Sequence, residues 1–191
     1  MTARMSPEEV PGLIPVATGR ELERLAALVP HGQCVVEIGA FQGRSTCFLA
    51  SGSAAGARVP VYSIDPWTTP GNPPGRGGRF VDPANYVAYQ RHLRACGVFD
   101  LVTTRRAFSW DAPLPREPVG LLWIDGAHDQ KSVERDVARF GPLLPSGAVV
   151  VFDDYGTFHP GVNKTVATLR RSAAWHSWRF DLVPLAIGVR T

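Results

Sequence analysis

Two apolar runs, LLWIDGAH at 121–128 and VVVFDDY at 149–155, each end abruptly on aspartate. Segments that are apolar at nearly every position are typical of parallel strands buried on both faces of a sheet. A carboxylate directly after such a strand costs free energy to bury, so its position calls for an explanation. We therefore expect a mostly parallel sheet and a functional role for the acids at its edge.

Apolar runs and helical periodicities alternate along the rest of the chain. Strands are predicted at 34–38, 59–64, 101–104, 120–124 and 148–152, and helices at 19–29, 45–51, 84–96, 130–140 and 160–172. Strands separated by helices form βαβ units. A last pair of strands, 178–183 and 185–189, is joined at Pro184 with no room for a crossover helix. This pair is predicted to be an antiparallel hairpin at one edge of the sheet.

The composition fits one globular domain. The chain has 191 residues, a net charge of +3 and 45% hydrophobic residues, enough for a proper core. We expect an irregular leader at 1–18, a single domain at 19–191, and a mobile loop rich in proline and glycine at 66–83. The basic residues are scattered rather than clustered, so no nucleic-acid partner is expected.

Three cysteines, at positions 34, 47 and 96, form no CxxC pair. In apolar segments such residues behave as small hydrophobes, which favours a reducing compartment over a disulfide scaffold or a zinc site. No apolar run approaches the roughly 18 residues of a membrane span. We therefore expect a cytoplasmic protein that does not associate with membranes.

The first predicted strand runs into a glycine turn, EIGAFQGRS at 37–45. Gly39 and Gly43 allow a ligand to approach the backbone and the next helix to pack near the strand. The spacing is GxxxG rather than the GxGxxG that seats a pyrophosphate on a helix, and Glu37 would repel a phosphate. The turn therefore favours a cationic ligand without phosphate there and disfavours a nicotinamide dinucleotide.

The second strand ends on Asp65, about two dozen residues beyond the glycine turn, where an acid can accept hydrogen bonds from ribose hydroxyls. A ribose joined to a cationic amino acid describes S-adenosylmethionine. Each acid also has a structural explanation, because Glu37 could cap a helix and Asp65 could begin the turn with Pro66. The two acids together, at the ends of consecutive strands, favour the cofactor.

Four segments carry a family resemblance: EIGAFQGRST (37–46), YSIDPW (62–67), LLWIDGAHDQKSVERDV (121–137) and PSGAVVVFDDY (145–155). Together they resemble class I S-adenosylmethionine-dependent methyltransferases, above all the small-molecule O-methyltransferases of macrocin and catechol type. The resemblance implies an α/β, Rossmann-like, doubly wound sheet of seven strands in the order 3-2-1-4-5-7-6. Strand 7 would be antiparallel, which agrees with the predicted hairpin, and helices would cover both faces.

The resemblance also implies which residues contact the cofactor. Glu37, Gly39 and Asp65 would line it, with Phe108 and Ser109 near the adenine. The full expected set is Glu37, Gly39, Ala40, Phe41, Gly43, Ser45, Asp65, Trp67, Phe108, Ser109 and Asp125.

In the implied strand order the fourth and fifth strands are neighbours, so Asp125, Asp153 and Asp154 meet beside the methyl group. Crowded carboxylates repel one another unless they are protonated or share a cation. An all-oxygen ligand set suits a hard ion, Mg²⁺ above all, with Ca²⁺ and Mn²⁺ as alternatives. The metal-dependent relatives use acids at these positions. We therefore expect Mg²⁺, while a role of Asp125 as a helix cap and metal-free transfer remain open.

A base must also take the proton of an acceptor hydroxyl. His128 follows Asp125 by three residues, where catechol-type relatives place a lysine, and neutral imidazole can accept a proton near pH 7. The macrocin-type relatives carry an acid at the position of Ala127, so this sequence departs from their pattern. His128 and Asp125 are the expected catalytic residues. Asp129 is expected to cap the next helix, and His159 to be a structural loop residue.

The expected activity is methyl transfer to a hydroxyl of a small molecule, a sugar or a phenol of secondary metabolism. A chain of this length has no separate substrate-recognition domain, so the acceptor is expected to be small or bound partly by the second subunit of a homodimer. Two alternatives remain. One is a metal-independent N- or O-methyltransferase of the same fold, and the other is a protein that binds S-adenosylmethionine without transferring the methyl group.

Overall fold

The computed structural model describes residues 4–67, 82–182 and 184–191, so most of the loop predicted at 66–83 lies outside the described residues. The strands are β1 (Cys34–Ile38), β2 (Val61–Ile64), β3 (Val102–Arg105), β4 (Val119–Ile124), β5 (Val149–Phe152), β6 (Trp175–Arg179) and β7 (Ala186–Arg190). The α-helices in the described residues are α1 (Val16–Ala27), α2 (Arg44–Ala55), α3 (Pro83–Ala95), α4 (Gln130–Phe140) and α5 (Pro160–Arg170).

All seven strands form one sheet in the order β3-β2-β1-β4-β5-β7-β6. β1 to β5 pair in parallel, while β7 runs antiparallel to both of its neighbours, β5 and β6. This is the strand order that the family resemblance implied, so the expected fold is confirmed. In this order β4 lies between β1 and β5, which brings the carboxyl ends of these three strands to one edge.

Helices cover both faces of the sheet, and successive residues of β1 show it. Val35 belongs to an apolar cluster with Phe48 of α2, whereas Val36 belongs to a second cluster with Val133 of α4 and Val166 of α5. Because every residue of β1 and β4 is buried, these strands need apolar side chains on both faces. The continuous apolar runs in the sequence reflect this position.

Most element bounds agree with the sequence-based expectations within a few residues. β1 and α4 match the predicted bounds at both ends. Asp129 caps α4 as expected, because its carboxylate accepts hydrogen bonds from the backbone N–H (3.1 Å) and the hydroxyl (2.6 Å) of Ser132. α1 begins three residues before the predicted start at 19.

The final hairpin is antiparallel as predicted, but its first strand was placed too late. β6 begins at Trp175 and ends at Arg179, so residues 180–185 connect the strands. The pairing shifts register between His176 and Arg179, and Ser177 has a positive φ of 50°. A bulge of this kind breaks the period-2 pattern on which the sequence-based prediction depended.

The segment expected to be an irregular leader packs on the domain. It contains one short 3₁₀ helix, Pro7–Glu9, and Val10 and Ile14 are buried in the same cluster as α1 and α2. The Met5 N–H also donates to the Ala95 carbonyl (3.0 Å) at the end of α3. The segment therefore contributes to the core although most of it lacks regular structure.

A fully buried carboxyl joins three elements next to the glycine turn. Oε1 of Glu37, on β1, accepts a hydrogen bond from Ser45 (2.6 Å), and Oε2 accepts from Thr46 (2.5 Å) and Ser63 (2.7 Å). Burial raises the pKa of Glu37 to about 7, although the three hydrogen bonds favour the charged form and limit the rise. Glu37 therefore ties β1 to α2 and β2.

The raised pKa of Glu37 predicts that stability falls as pH rises from about 4.5 to about 7. Between these values the folded state holds a proton that the unfolded state has lost, and the contribution amounts to about 3 kcal/mol at most. Glu37→Gln should flatten this part of the profile, measured as the free energy of unfolding in urea at several pH values. Glu134→Gln, on an exposed helical position, serves as the control. An unchanged slope in Glu37→Gln would show that the hydroxyls keep Glu37 ionised.

Candidate active site

The turn after β1 lies directly against the turn after β4. Gly39 has a positive φ of 88°, and a Cβ at this position would lie 2.1 Å from the backbone carbonyl oxygen of Asp125. The Asp125 N–H donates to the Ile38 carbonyl (2.8 Å), which continues the strand pairing to the edge. No side chain fits between these turns, so glycine is required at this position.

Asp65, at the end of β2, fixes the shape of the glycine turn. Its Oδ2 accepts from the backbone N–H groups of Ala40 (2.9 Å) and Phe41 (3.0 Å), and its Oδ1 accepts from the N–H of Trp67 (2.8 Å). Burial raises its pKa, while these hydrogen bonds oppose the rise. The sequence analysis predicts that this carboxylate binds the ribose of a cofactor. Its observed contacts add a structural role, because they hold the backbone of the glycine turn.

Trp67 packs against this turn. Its ring N–H donates to the Phe41 carbonyl (2.7 Å), and its fully buried ring packs against Tyr86 and Tyr89 with centroids 4.9 and 4.7 Å away. Phe41 and Trp67 both adopt positive φ values, 46° and 39°, which non-glycine residues rarely do. For the Trp67 ring to contact a cofactor, as the sequence analysis expected, this aromatic cluster must open.

Phe108 and Ser109, expected near the adenine, lie in the turn that follows β3. Phe108 stacks on Trp110 with ring centroids 4.4 Å apart and planes 5° apart, and the Arg135 guanidinium lies 4.3 Å from the Trp110 ring centroid. Ser109 is buried and donates a short hydrogen bond to Asp136. The turn is therefore attached to α4.

Asp136 is a site residue that the sequence analysis missed. It is 3% exposed, and burial raises its pKa to about 6. Its position on α4, between buried Val133 and buried Phe140, could have indicated that its side chain faces the core. Spacings of three and four residues place all three side chains on one helix face, so an acid there needs a partner.

The strand-end aspartates divide into two groups. The carboxyl groups of Asp125 and Asp153 form a hydrogen bond with each other, so they share a proton. Loss of contact with water and the neighbouring acids raise the pKa of Asp153 to about 8 and that of Asp125 well above its ordinary value. Asp153 is 8% exposed, and its Oδ1 has no hydrogen-bond partner.

Asp154 turns away from this pair and contacts two histidines. Its backbone has a positive φ of 57°, and its Oδ2 lies 3.2 Å from Nε2 of His159 and 3.5 Å from Nδ1 of His128. The other nitrogen of His128, Nε2, lies 3.5 Å from Oδ1 of Asp125. His128 therefore bridges the two groups of carboxylates, and His159, expected to be a structural loop residue, belongs to the same cluster.

The cation site expected at Asp125, Asp153 and Asp154 stays a prediction, and the structure adds a second group of candidate ligands beside it. Within residues 4–67, 82–182 and 184–191, one set of three acidic, histidine or cysteine side chains offers ligand atoms within 4.8 Å of one another, and it comprises His128, Asp154 and His159. Asp125 and Asp153 are not members of this set. The left-handed backbone at Asp154, which a strand pattern does not reveal, separates the adjacent acids.

A cavity of about 490 Å³ opens beside the histidines, between the first turns of α4 and α5. Gly161 allows these helices to approach, because a Cβ there would lie 2.3 Å from the Gln130 nitrogen and 2.4 Å from the His128 carbonyl oxygen. Lys164 also lines the cavity. The volume is in the range of small-molecule sites.

None of the helices in the described part of the chain has the length and hydrophobicity needed to cross a membrane.

Comparison with solved structures identifies the same fold in several methyltransferases. The O-methyltransferase NovP superposes with a TM-score of 0.71 and 19% identity, over 93% of this chain and 81% of NovP. An O-methyltransferase from Bacillus cereus gives 0.70 and 15%, over 95% and 84%. A putative rRNA-methylase from Clostridium thermocellum gives 0.65 and 16%, over 94% and 100%. At these identities the likeness establishes the fold and leaves the acceptor open.

Comparison with curated protein sequences gives no match. A family model described as a methyltransferase domain, however, matches residues 36–155, more than half of the chain. This range begins in β1 and extends beyond both strand-end aspartates of β5, so it contains the glycine turn and the acidic edge. The chain therefore belongs to this methyltransferase-domain family and is an S-adenosylmethionine-dependent methyltransferase of class I.

Proposed function

We propose that this chain transfers the methyl group of S-adenosylmethionine to a hydroxyl of a small molecule. One observation carries the proposal: the glycine turn after β1 is in contact with the acidic edge, through Gly39 and the carbonyl of Asp125. A methyl donor at the turn and an acceptor at the edge would be neighbours. Methyl transfer between them would then need little further movement of either molecule. Close approach and alignment of the reacting atoms are the main requirements for such a reaction.

The cofactor would bind along the carboxyl ends of β1, β2 and β3. S-adenosylmethionine supplies an activated sulfonium methyl group when it is bound. In this proposal Asp65 accepts hydrogen bonds from the ribose, and Phe108 and Ser109 flank the adenine. The hydrogen bonds of Asp65 to the turn and of Ser109 to α4 support the assignment, because they hold these groups in place before the cofactor arrives.

Asp125 and His128 are the residues proposed to take the proton of the acceptor hydroxyl. Nε2 of His128 lies 3.5 Å from Oδ1 of Asp125 and has no hydrogen-bond partner. A carboxylate and an imidazole at this separation can pass a proton between them, and together they can hold one that leaves the substrate. Their position next to the glycine turn supports this role, because the methyl group of a cofactor bound at the turn would lie near them.

A divalent cation at the acidic edge is part of the proposal. It would bind the acceptor oxygen and lower its pKa. Asp125, Asp153 and Asp154 would be the ligands of Mg²⁺, the ion expected from the sequence. The unpartnered, buried Oδ1 of Asp153 supports a cation at this edge, but Mg²⁺ binding by all three requires the Asp125–Asp153 hydrogen bond to open.

The acceptor is proposed to be a small molecule rather than a nucleic acid. The cavity of about 490 Å³ next to His128 and His159 supports this choice. The activities named for NovP and for the Bacillus cereus protein, both O-methyltransferases, favour oxygen as the acceptor atom. A second subunit in a homodimer would complete the binding of any larger acceptor.

Metal-independent transfer is a second candidate, favoured by the hydrogen bond between Asp125 and Asp153. Two carboxyls that share a proton do not need a cation to relieve their repulsion. The two candidates differ in their response to a chelator. If a cation assists, dialysis against a chelator should abolish transfer and added divalent metal should restore it. Full activity in the chelated protein would favour the metal-independent candidate.

Asp65→Asn should weaken S-adenosylmethionine binding, because the amide presents one acceptor oxygen instead of two and its N–H₂ faces backbone donors. The expected loss is about 1–3 kcal/mol in binding free energy, measured by titration calorimetry. Asp100→Asn, at an exposed position, is the matched control. Unchanged affinity in Asp65→Asn would contradict the proposed ribose contact.

Asp125→Asn should lower kcat by roughly 10²–10⁴-fold and weaken S-adenosylmethionine binding far less, because the backbone contact with Gly39 remains and only the charge of one expected cofactor contact is lost. The assay would follow transfer of a labelled methyl group to a panel of phenols and hydroxylated sugars. The wild-type protein could also bind S-adenosylmethionine and methylate no member of this panel. That result would support the alternative of a protein that binds S-adenosylmethionine without transferring the methyl group.

A further inference from the structure

The cluster of His128, Asp154 and His159 has the spacing of a metal site. Oδ2 of Asp154 lies 3.2 Å from Nε2 of His159 and 3.5 Å from Nδ1 of His128, and one ligand atom from each residue lies within 4.8 Å of the others. Nitrogen and oxygen ligands bind transition metals at about 2.0–2.2 Å, so two ligands of one ion are roughly 3–4 Å apart. The cluster therefore needs only small side-chain movements to hold an ion.

The backbone holds the two histidines together. His159 immediately precedes α5 and His128 lies two residues before α4, and Gly161 allows the starts of these helices to touch. As a result the imidazole rings lie side by side, with centroids 4.4 Å apart and an angle of 51° between them. Nitrogen atoms from both rings and an oxygen of Asp154 therefore lie around one small volume.

The remaining nitrogen of His128 gives a second, independent indication. Nε2 is buried without a hydrogen-bond partner, and the nearest carboxylate oxygen is Oδ1 of Asp125 at 3.5 Å. Histidines that bind a metal through one nitrogen usually donate the other N–H to a carboxylate, which orients the ring. Asp125 stands where that carboxylate is needed.

We propose that His128, Asp154 and His159 bind a divalent transition-metal ion at the acidic edge. The assignment rests on the proposed function. It replaces the Mg²⁺ site of the three aspartates by an ion held at the histidines, and it leaves Asp125 rather than His128 to take the proton of the acceptor. Imidazole nitrogen suits Zn²⁺, Co²⁺ or Fe²⁺, whereas Mg²⁺ is held through oxygen ligands. Three protein ligands leave positions on the ion open to the neighbouring cavity.

Co²⁺ is a suitable probe, because its visible absorption reports nitrogen and oxygen ligands. The full chain, without an affinity tag and freed of metal by a chelator, would be titrated with Co²⁺ by absorption and by calorimetry, in the presence and absence of excess Mg²⁺. We expect one bound Co²⁺ per chain that excess Mg²⁺ does not displace. His159→Ala, His128→Gln and Asp154→Asn should each weaken Co²⁺ binding by at least ~10-fold. Asn tolerates the left-handed backbone at 154.

Two controls separate this site from others. His31→Ala, in an exposed loop, should bind Co²⁺ as the wild type does, and so should Asp153→Asn. Thermal unfolding of each variant would identify any that fail to fold. Loss of binding in Asp153→Asn with retention in His159→Ala would overturn the proposal in favour of the three-aspartate site. No binding in the wild type would also overturn it, leaving the histidines as partners of Asp154 alone.

These outcomes are distinguishable from failure of the proposed function. S-adenosylmethionine binding and methyl transfer would be measured separately on the same preparations. A chain that binds Co²⁺ through these residues but transfers no methyl group would leave the metal site standing and contradict the proposed activity. A chain that transfers the methyl group but binds no Co²⁺ would contradict the metal assignment alone.

Discussion

The contact between two turns at the edge of the sheet is the constraint on which the site depends. β1 and β4 are neighbours, and where they end, Gly39 lies against the carbonyl of Asp125 without space for a side chain. The glycine turn after β1 and the acids that follow β4 and β5 therefore belong to one continuous surface. Any residue larger than glycine would push these two halves of the site apart.

Electrostatics at this edge follow from burial. Glu37, Asp136 and Asp153 are each shielded from water, and burial raises the pKa of each carboxyl. The neighbours of the carboxyl group differ at each position: hydroxyl donors surround Glu37, a single serine binds Asp136, and a second carboxyl shares a proton with Asp153. Buried carboxyl groups of the same chemical type therefore differ in their roles because their neighbours differ.

The sheet could be predicted from the sequence because burial on both faces leaves a direct pattern. The apolar runs of β4 and β5 and the Asp129 cap of α4 are local features, and they place Asp125, Asp153 and His128 at one edge. The directions of their side chains could not be predicted in this way. Asp154 turns toward the histidines because of a left-handed backbone, and Gly161 brings His159 to them from another helix. Both depend on contacts that are distant in sequence.

The segment between the acidic edge and α5 is held at both ends and exposes one aromatic side chain. The N–H of Tyr155 donates to the Pro184 carbonyl (2.7 Å), and Gly161 is held against α4, while the Phe158 side chain is 86% exposed. Substitutions at Phe158, short of His159, could thus vary the entrance to the cavity without moving the strands beneath it. In such a design, acceptor preference and fold stability would be adjustable independently.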